Sequence, residues 1–322
     1  MAVKVIGTGS ALPEKIVTND DLAMIMDTSD EWIKERTGIS KRRISTGETV
    51  ADLATAACER ALEKAGKNAE EVELLIVATC TPELLLPCVA CQIQDRIAAK
   101  NAVAFDLNAA CGGFLFALNT AYAYMSAGFY KNAVVVGAEV LSKIMDWEDR
   151  STCVLFGDGA GAVVLEKQEG NDGILGFVQQ SDGAKGHVLS CGSRAVNNPY
   201  CKKEPLYPYV IMDGREVFQF AVRQVPACIN QVLDNLDMTI EDVDLFLLHQ
   251  ANARIIETIA RRYKLPLDKF PMNISEYGNM SSACIPVLMD QLNRSGELKE
   301  GMKLVLSGFG AGLTFGACAM IW

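Results

Sequence analysis

Two hydrophobic patterns alternate along the chain. Short apolar runs rich in β-branched residues, such as VELLIVATC (72–80) and NAVVVGAE (132–139), are typical of strands buried on both faces. Longer apolar or amphipathic stretches, such as ADLATAACERALEKAG (51–66) and GGFLFALNTAYAYMSAG (112–128), end at a glycine, as helices commonly do. This alternation predicts an α/β fold of mainly parallel sheets covered by helices.

The pattern occurs twice. EEVELLIVATC (70–80) resembles EDVDLFLLHQA (241–251), and two further segment pairs share the same spacing of 171 positions. The matched pairs are Val72 and Val243, Asn108 and Asn279, and Gly137 and Gly308. Three matches at one spacing indicate two copies of one unit. We therefore predict an N-terminal half over 1–170 and a C-terminal half over 171–322, meeting in the polar, glycine-rich segment 166–186.

Composition and charge narrow the class of protein. Half of the 322 residues are hydrophobic and 22% are charged, which indicates a globular chain and excludes disorder. The net charge of −10 gives no general attraction to nucleic acid. No apolar run reaches the roughly 18 residues that span a bilayer, and the chain does not begin with a secretory pattern. We expect no nucleic-acid partner and no membrane insertion.

The cysteines suggest a reducing compartment. There are 11, an odd number, scattered along the chain and often within apolar segments. This distribution argues against a disulfide framework and predicts a cytoplasmic protein. Cys88 and Cys91 form one CxxC, but no second CxxC or histidine cluster completes a zinc site, so we predict no metal.

Cys111 is a candidate nucleophile. It lies between the apolar strand AVAFDL (102–107) and a long apolar helix, and a helix N-terminus favours a thiolate over a thiol. His249 ends the second copy of the strand VELLIVAT, and Asn279 lies at the start of another small-residue helix. The ends of strands carry the sites of open α/β folds, so the three residues predict one site. From position alone, Cys111 and His249 could still be core residues and Asn279 a turn residue.

Several motifs carry a resemblance to a known family. In chain order they are ACGGF (110–114), FGDGAGA (156–162), LLHQAN (247–252), YGNMSSACIP (277–286) and SGFGAGLTFG (307–316). Their order and spacing resemble the thiolase-related condensing enzymes, and more closely the β-ketoacyl-acyl carrier protein synthase III family. The resemblance covers essentially the whole chain. It implies a duplicated βαβαβαββ unit forming a five-layered αβαβα sandwich, usually a homodimer.

The resemblance also implies a reaction and a set of site residues. The family's Cys-His-Asn triad falls on Cys111, His249 and Asn279, and the backbone N–H groups of Cys111 and Ala311 would form an oxyanion hole. The reaction is a decarboxylative Claisen condensation of a short acyl-CoA primer with malonyl-acyl carrier protein, which initiates bacterial fatty acid synthesis. Coenzyme A enters as a thioester substrate, so no tightly bound cofactor is expected.

The resemblance assigns coenzyme A contacts as well. Trp32 and Arg150 would sandwich the adenine, Arg36 and Thr28 would lie nearby, and Asn252 would contact the pantetheine arm. SDEWIKERTG (29–38) independently predicts a short helix on which Trp32 and Arg36 share one face. An exposed amphipathic helix with an incidental tryptophan is the alternative for this segment.

Two further assignments concern the primer and the carrier protein. Leu86 stands where relatives often carry a phenylalanine that forms the floor of the acyl pocket in the other subunit of a dimer. Leucine is smaller than phenylalanine, so this pocket would accept a longer or branched primer. Acetyl and branched primers both stay open. Arg254, Arg261 and Arg262 lie on a predicted helix after His249 and form a basic stripe suited to an acidic carrier protein. A solvated helix face is the alternative.

Two other functions remain possible at this stage. One is a secondary-metabolite relative that uses another starter or transfers the acyl group to a heteroatom. The other is a non-catalytic binding or redox protein that uses its cysteines. Retention of both His249 and Asn279 favours carbon–carbon bond formation.

Overall fold

A computed structural model describes all 322 residues, in fifteen strands and nine α-helices. The strands are β1 (Ala2–Ala11), β2 (Ile16–Thr18), β3 (Lys41–Arg43), β4 (Leu74–Ala78), β5 (Val103–Leu107), β6 (Asn132–Glu139), β7 (Gly159–Gln168), β8 (Gly173–Ser181), β9 (Leu189–Cys191), β10 (Asn197–Asn198), β11 (Cys201–Lys202), β12 (Val210–Met212), β13 (Leu245–Leu248), β14 (Lys303–Gly310) and β15 (Thr314–Ile321). The helices are α1 (Asn19–Ala23), α2 (Asp30–Thr37), α3 (Val50–Ala65), α4 (Val89–Arg96), α5 (Gly113–Ser126), α6 (Gly214–Asp234), α7 (Ala253–Tyr263), α8 (Ile274–Tyr277) and α9 (Cys284–Ser295).

Two mixed sheets form the body. The first has the order β1-β7-β6-β4-β5, and the second has the order β13-β14-β15-β8. Only the pairs β4–β5, β4–β6 and β13–β14 are parallel, whereas the other four are antiparallel. The prediction of mainly parallel sheets is therefore wrong. One cause is the connection between β14 and β15, which is too short for the crossover that parallel strands require.

The helices complete a five-layered sandwich. Apolar residues of α5 and α9 pack with both sheets in one core cluster, so these two helices form the central layer. The outer face of the first sheet is covered by α3 and α4, and that of the second sheet by α6 and α7. The alternation of side chains along each strand explains how one strand can serve two layers: Ile76 faces α5, and Leu75 and Val77 face α3. This is the predicted αβαβα architecture.

The internal repeat is visible in three dimensions. At the spacing of 171 residues, β1 corresponds to β8, β4 to β13, β6 to β14 and α5 to α9. The counterpart of β5 is the short helix α8, which leaves the second sheet with four strands. Pro271 lies just before this segment and has no N–H for a sheet ladder. The strands of the first sheet fall within 2–168 and those of the second within 173–321, and the division at 170/171 stays a prediction.

The predicted helices begin and end close to where their sequence signals lie. Helix α2 starts after Ser29, whose hydroxyl accepts a hydrogen bond from the Trp32 N–H, and it ends at Gly38 in the left-handed conformation. Helix α3 ends in the same way at Gly66. None of the helices is long and apolar enough to cross a bilayer.

Candidate active site

Two equivalent turns build the site. Cys111 lies in the 3-10 turn Ala110–Gly112 before α5, and the counterpart turn Ser281–Ala283 precedes α9. In the first turn the Asn108 side-chain oxygen accepts from the Ala110 N–H at 3.1 Å, and in the second Asn279 Oδ1 accepts from the Ser281 N–H at 2.8 Å. Ala110 and Ser281 also share a left-handed backbone, with φ of 47° and 50°. Asn108 and Asn279 therefore hold equivalent turns, and the two turns pack against each other, which places Asn279 near Cys111.

One cavity brings the predicted triad together. Cys111, His249 and Asn279 all line a cavity of about 100 Å³ with mostly apolar walls. The other lining residues include Leu155, Phe156, Leu189, Met212, Val217, Phe218 and Phe309. Phe156 and Phe309 belong to motifs quoted above, whereas the other wall residues come from segments far apart in the sequence and are marked there only by being apolar. The catalytic roles of the three polar residues stay predictions.

The amide of Asn279 has a fixed orientation. Its backbone N–H donates to the Leu155 carbonyl at 2.8 Å, and its carbonyl accepts from the Gly157 N–H at 3.0 Å. Because Oδ1 is already bonded to the Ser281 N–H, Nδ2 is the end of the amide left to donate to a ligand.

His249 is a neutral hydrogen-bonding group. It directly follows β13, is 3% exposed, and its ring packs edge-on against Phe309 with 5.5 Å between centroids. Burial lowers the pKa of His249 to about 3, so the imidazole is uncharged at neutral pH. Nδ1 is buried without a partner, so we assign the proton to Nε2, because a buried unpaired N–H donor is costly. The ring can then donate a hydrogen bond into the cavity.

Cys111 rests as a thiol, contrary to the expectation of a thiolate. Burial raises the pKa of Cys111 to about 11, and the charge of Glu139 acts in the same direction. The neighbouring Ser281 hydroxyl and the N–H of Cys111 itself oppose this shift but do not overcome it. The sequence could place the cysteine at a helix start, but it could not show how much chain would cover the sulfur.

The backbone beside Cys111 is closely packed. A Cβ atom added at Gly310 would lie 2.5 Å from the Cys111 nitrogen, so only glycine fits there. Gly310 lines the cavity, whereas Ala311 belongs to the turn between β14 and β15 and is not among the lining residues. The use of the Ala311 N–H in an oxyanion hole stays a prediction.

The predicted adenine site is closed. The Arg36 and Arg150 guanidinium groups lie 4.9 and 5.1 Å from the centre of the Trp32 ring. A base stacked between Trp32 and Arg150 needs about 7 Å, twice a van der Waals contact, so Arg150 would have to move. Its guanidinium is bonded to Asp27, which is exposed. Thr28 precedes α2, and its hydroxyl is buried without a partner.

Asn252 connects the cavity to two helices. It lines the cavity and caps α7, where its side-chain oxygen accepts from the Arg254 N–H at 2.9 Å. Its Nδ2 donates to the carbonyl of Arg36, the penultimate residue of α2, at 3.0 Å. The contact between Asn252 and the pantetheine arm stays a prediction. It would have to use the second N–H of Nδ2 or the second lone pair of Oδ1, because the first of each is already bonded.

The primer and carrier residues lie outside the cavity. Leu86 is 86% exposed on a loop and does not line the cavity of its own chain. Arg254, Arg261 and Arg262 are exposed on α7, which begins at the cavity wall. Arg215 of α6 is also exposed, one residue after the lining residue Gly214, and its helix carries none of the motifs quoted above.

Comparisons with known proteins agree with this architecture. Two family models, 3-oxoacyl-[acyl-carrier-protein (ACP)] synthase III and its C-terminal part, match residues 105–183 and 233–322. The β-ketoacyl-[acyl-carrier-protein] synthase III of Clostridium acetobutylicum is 51% identical over 100% of this chain and 99% of its own length. The β-ketoacyl-[acyl-carrier-protein] synthase III of Streptococcus sanguinis is 47% identical over 94% of this chain and 94% of its own length.

A solved structure extends the likeness to the whole fold. The crystal structure of 3-oxoacyl-[acyl-carrier-protein] synthase III from Aquifex aeolicus superposes with a TM-score of 0.94, at 42% identity and with 100% of both chains covered. Matches over the full length do not favour the secondary-metabolite alternative. The chain therefore belongs to the β-ketoacyl-acyl carrier protein synthase III family, and it is a condensing acyltransferase of fatty acid synthesis.

Proposed function

We propose that Cys111, His249 and Asn279 condense a short acyl-CoA primer with malonyl-acyl carrier protein. The observation that carries this proposal is the convergence of a thiol, a neutral imidazole and an oriented amide on one cavity. Each group suits a different step, and no other histidine or asparagine lines the cavity apart from Asn252.

The first half-reaction forms an acyl-enzyme. The Cys111 sulfur attacks the thioester carbonyl, and coenzyme A leaves. Negative charge develops on the carbonyl oxygen, and the backbone N–H groups of Cys111 and Ala311 are the donors that we propose for it. The thiol must lose its proton in this step, because Cys111 rests protonated at neutral pH.

The second half-reaction makes the carbon–carbon bond. Malonyl-carrier protein loses CO₂, and the carbanion attacks the acyl group on Cys111 to give a β-ketoacyl product. His249 Nε2 and Asn279 Nδ2 would donate to the enolate oxygen. Neither group is an acid that protonates the carbanion, because the imidazole is already neutral. Losing one such donor costs about 3–4 kcal/mol, or roughly 10²–10³ in rate.

Residues around the mouth of the cavity and on α7 would hold the two substrates. Trp32 with Arg150 would hold the adenine, Arg36 and Thr28 would lie close to it, and Asn252 would contact the pantetheine arm. Coenzyme A is a substrate in this scheme and not a resident cofactor. The exposed arginines of α7, including Arg254, would attract the acidic carrier despite a net charge of −10.

We also propose that two copies associate through β5. This strand is at the edge of the first sheet, so one side of its backbone has no sheet partner, and Val103 is 49% exposed. Leu85 and Leu86, in the loop before α4, are 67% and 86% exposed, and α4 packs beside β5. A second copy would cover them and receive Leu86 in its acyl pocket. The eleven free cysteines support a reducing compartment such as the cytoplasm.

Intact-mass spectrometry tests the nucleophile. Incubation with acetyl-CoA should add one acetyl group to the wild type and none to Cys111→Ala. As a matched control, Cys228→Ala, which alters a buried thiol of the α6 core, should still be acetylated once. An adduct that persists in Cys111→Ala would overturn the assignment. Release of CO₂ from malonyl-carrier protein then tests the second half-reaction.

A further inference from the structure

A buried carboxylate lies beside the nucleophile. Glu139 is the last residue of β6 and is fully buried, and it forms no ion pair. An unpaired buried charge is costly, so the chain must stabilise it in another way. The function described above does not use this residue.

Neutral donors surround the Glu139 carboxylate. They are Thr81 Oγ1 at 2.5 Å, the Cys80 N–H at 3.1 Å, Ser281 Oγ at 3.1 Å, Ser282 Oγ at 3.1 Å, Thr79 Oγ1 at 3.2 Å and Cys80 Sγ at 3.4 Å. These donors belong to the segment 79–81 that follows β4 and to the turn before α9. The carboxylate therefore joins the two halves beside the site, and four of its six donors are hydroxyl groups.

Ser281 connects this carboxylate to the catalytic sulfur. Its hydroxyl donates to Glu139 Oε1 at 3.1 Å. The turn of Ser281 packs against the turn of Cys111, and the same hydroxyl is near enough to the sulfur to lower the pKa of Cys111. A hydroxyl has one proton to donate and two lone pairs to accept with. Ser281 can therefore accept from the Cys111 S–H while it donates to Glu139. The left-handed backbone of Ser281, held by Asn279, fixes the position of this residue between the carboxylate and the turn of Cys111.

The internal repeat explains why the carboxylate is in this place. At the spacing of 171 residues, Glu139 is the counterpart of Gly310, and Ser282 is the counterpart of Cys111. Gly310 leaves no side chain beside Cys111, whereas Glu139 fills the equivalent space beside Ser282. At these equivalent positions the first cavity is thus bordered by a glycine and the second half carries a carboxylate, whose charge acts on the nucleophile of the first half.

The other ionisable groups around the sulfur cannot take its proton readily. His249 has a pKa lowered to about 3 by burial and is a weak base. Cys80, after β4, and Cys284, on α9, have pKa values raised by burial and remain thiols. Glu139 itself has its pKa raised by burial, which makes this carboxylate a stronger base than an exposed one.

We propose that Glu139 accepts, through the Ser281 hydroxyl, the proton that Cys111 loses when its sulfur attacks the thioester. The S–H proton moves to Ser281 Oγ while the Ser281 proton moves to Glu139 Oε1, and the sulfur–acyl bond forms. The bond from the acyl carbon to the coenzyme A sulfur breaks, and the departing thiolate takes the proton back from Glu139. The site keeps one negative charge throughout, so no second charge is buried. This proposal rests on the proposed role of Cys111.

The pH dependence of acylation tests the relay. We would measure single-turnover acylation by an uncharged minimal thioester, acetyl-N-acetylcysteamine, between pH 6.5 and 9. The wild-type rate should be flat, because proton transfer inside the site does not depend on bulk pH. Glu139→Gln should be at least tenfold slower at pH 7, and its rate should rise about tenfold per pH unit as the thiol ionises to solvent.

The opposite result would overturn the proposal. If Glu139 acts only through its charge, Glu139→Gln should acylate faster at pH 7, because removing a negative charge favours the thiolate. A wild-type rate that already climbs about tenfold per unit would also refute the relay. Ser281→Ala, which keeps the carboxylate and removes the hydroxyl, should show the same rising profile, and a flat profile in this variant would exclude a route through Ser281.

Two controls separate this proposal from the others. Asp290→Asn changes another buried carboxylate, bonded to Thr8 and Ser10 at 2.9 and 2.6 Å, and its acylation profile should stay flat. One combination of results has Cys111→Ala losing the acetyl adduct while Glu139→Gln and Ser281→Ala keep the wild-type pH profile of acylation. That combination would refute the relay and leave the assignment of Cys111 as the nucleophile unaffected. If Glu139→Gln fails to fold, as judged by circular dichroism, Ser281→Ala alone decides.

Discussion

Replacing Asn279 by aspartate separates the two ends of its side chain. Oδ1 holds the Ser281 N–H at 2.8 Å, and aspartate keeps an oxygen at that position. Nδ2 is the proposed donor to the enolate, and aspartate replaces it with an oxygen that cannot donate. Asn279→Asp should therefore keep the turn before α9 and lose one hydrogen bond of the second half-reaction.

The expected effect follows from the loss of one donor. Decarboxylation should slow by at least 10²–10³, since one preorganised donor is worth about 3–4 kcal/mol and the carboxylate also repels the enolate. Acetylation of Cys111 should stay within a few-fold of wild type. Asn279→Ala removes both ends of the amide and leaves the buried Ser281 N–H unpaired, so it should also lower stability by about 1–3 kcal/mol.

Three measurements on the same preparations test this reasoning. Release of labelled CO₂ from malonyl-carrier protein reports the second half-reaction, intact mass reports the first, and urea unfolding reports stability. Asn108→Ala is the matched control, because it breaks the same kind of turn bond in the other half and removes no enolate donor. Decarboxylation by Asn279→Asp at the wild-type rate would refute the assigned role of Nδ2.

Other substitutions test other parts of the scheme. Gly310→Ala should abolish acetylation in a chain that still folds, because the added Cβ would lie 2.5 Å from the Cys111 nitrogen; a normal intact-mass adduct would contradict this. Arg254→Glu should raise KM for malonyl-carrier protein several-fold and weaken the salt dependence of KM. The control Lys299→Glu changes an exposed lysine in the loop before β14 and should leave KM unchanged. Equal effects of the two substitutions would exclude α7 as the docking surface. Leu86→Phe should lower the ratio of kcat/KM for a branched or longer acyl-CoA to kcat/KM for acetyl-CoA, by a factor that corresponds to about 1–3 kcal/mol. An unchanged ratio would argue against the placement of Leu86 in the acyl pocket of a second copy.

Much of the architecture could be predicted from the repeat. One spacing of 171 residues relates β6 to β14 and the turn at Cys111 to the turn at Ser281, because both halves use the same local signals. The meeting of Cys111 with Asn279 follows directly from that symmetry. Strand direction did not follow, because an apolar run looks the same in a parallel and an antiparallel pair.

The electrostatic state of the site could not be predicted from local sequence. The pKa of Cys111 depends on how much chain covers the sulfur, and Leu155, Phe309 and Gly310 come from distant segments. The surroundings of Glu139 could not be predicted for a similar reason. It ends the apolar run NAVVVGAE, and only the folded chain shows that its carboxylate meets hydroxyl groups from the segment after β4 and from the turn before α9.

The neutral state of His249 has a consequence for acid stability. An unfolded histidine takes up a proton near its ordinary pKa of about 6.5, whereas the folded pKa is about 3. Unfolding therefore consumes a proton at this residue between those two pH values. Above pH 6.5 the residue contributes no pH dependence, and below it the free energy of unfolding falls with each step towards acid until the folded imidazole also protonates. The burial that keeps this ring a hydrogen-bond donor thus lowers the contribution of His249 to the stability of the native protein in acid.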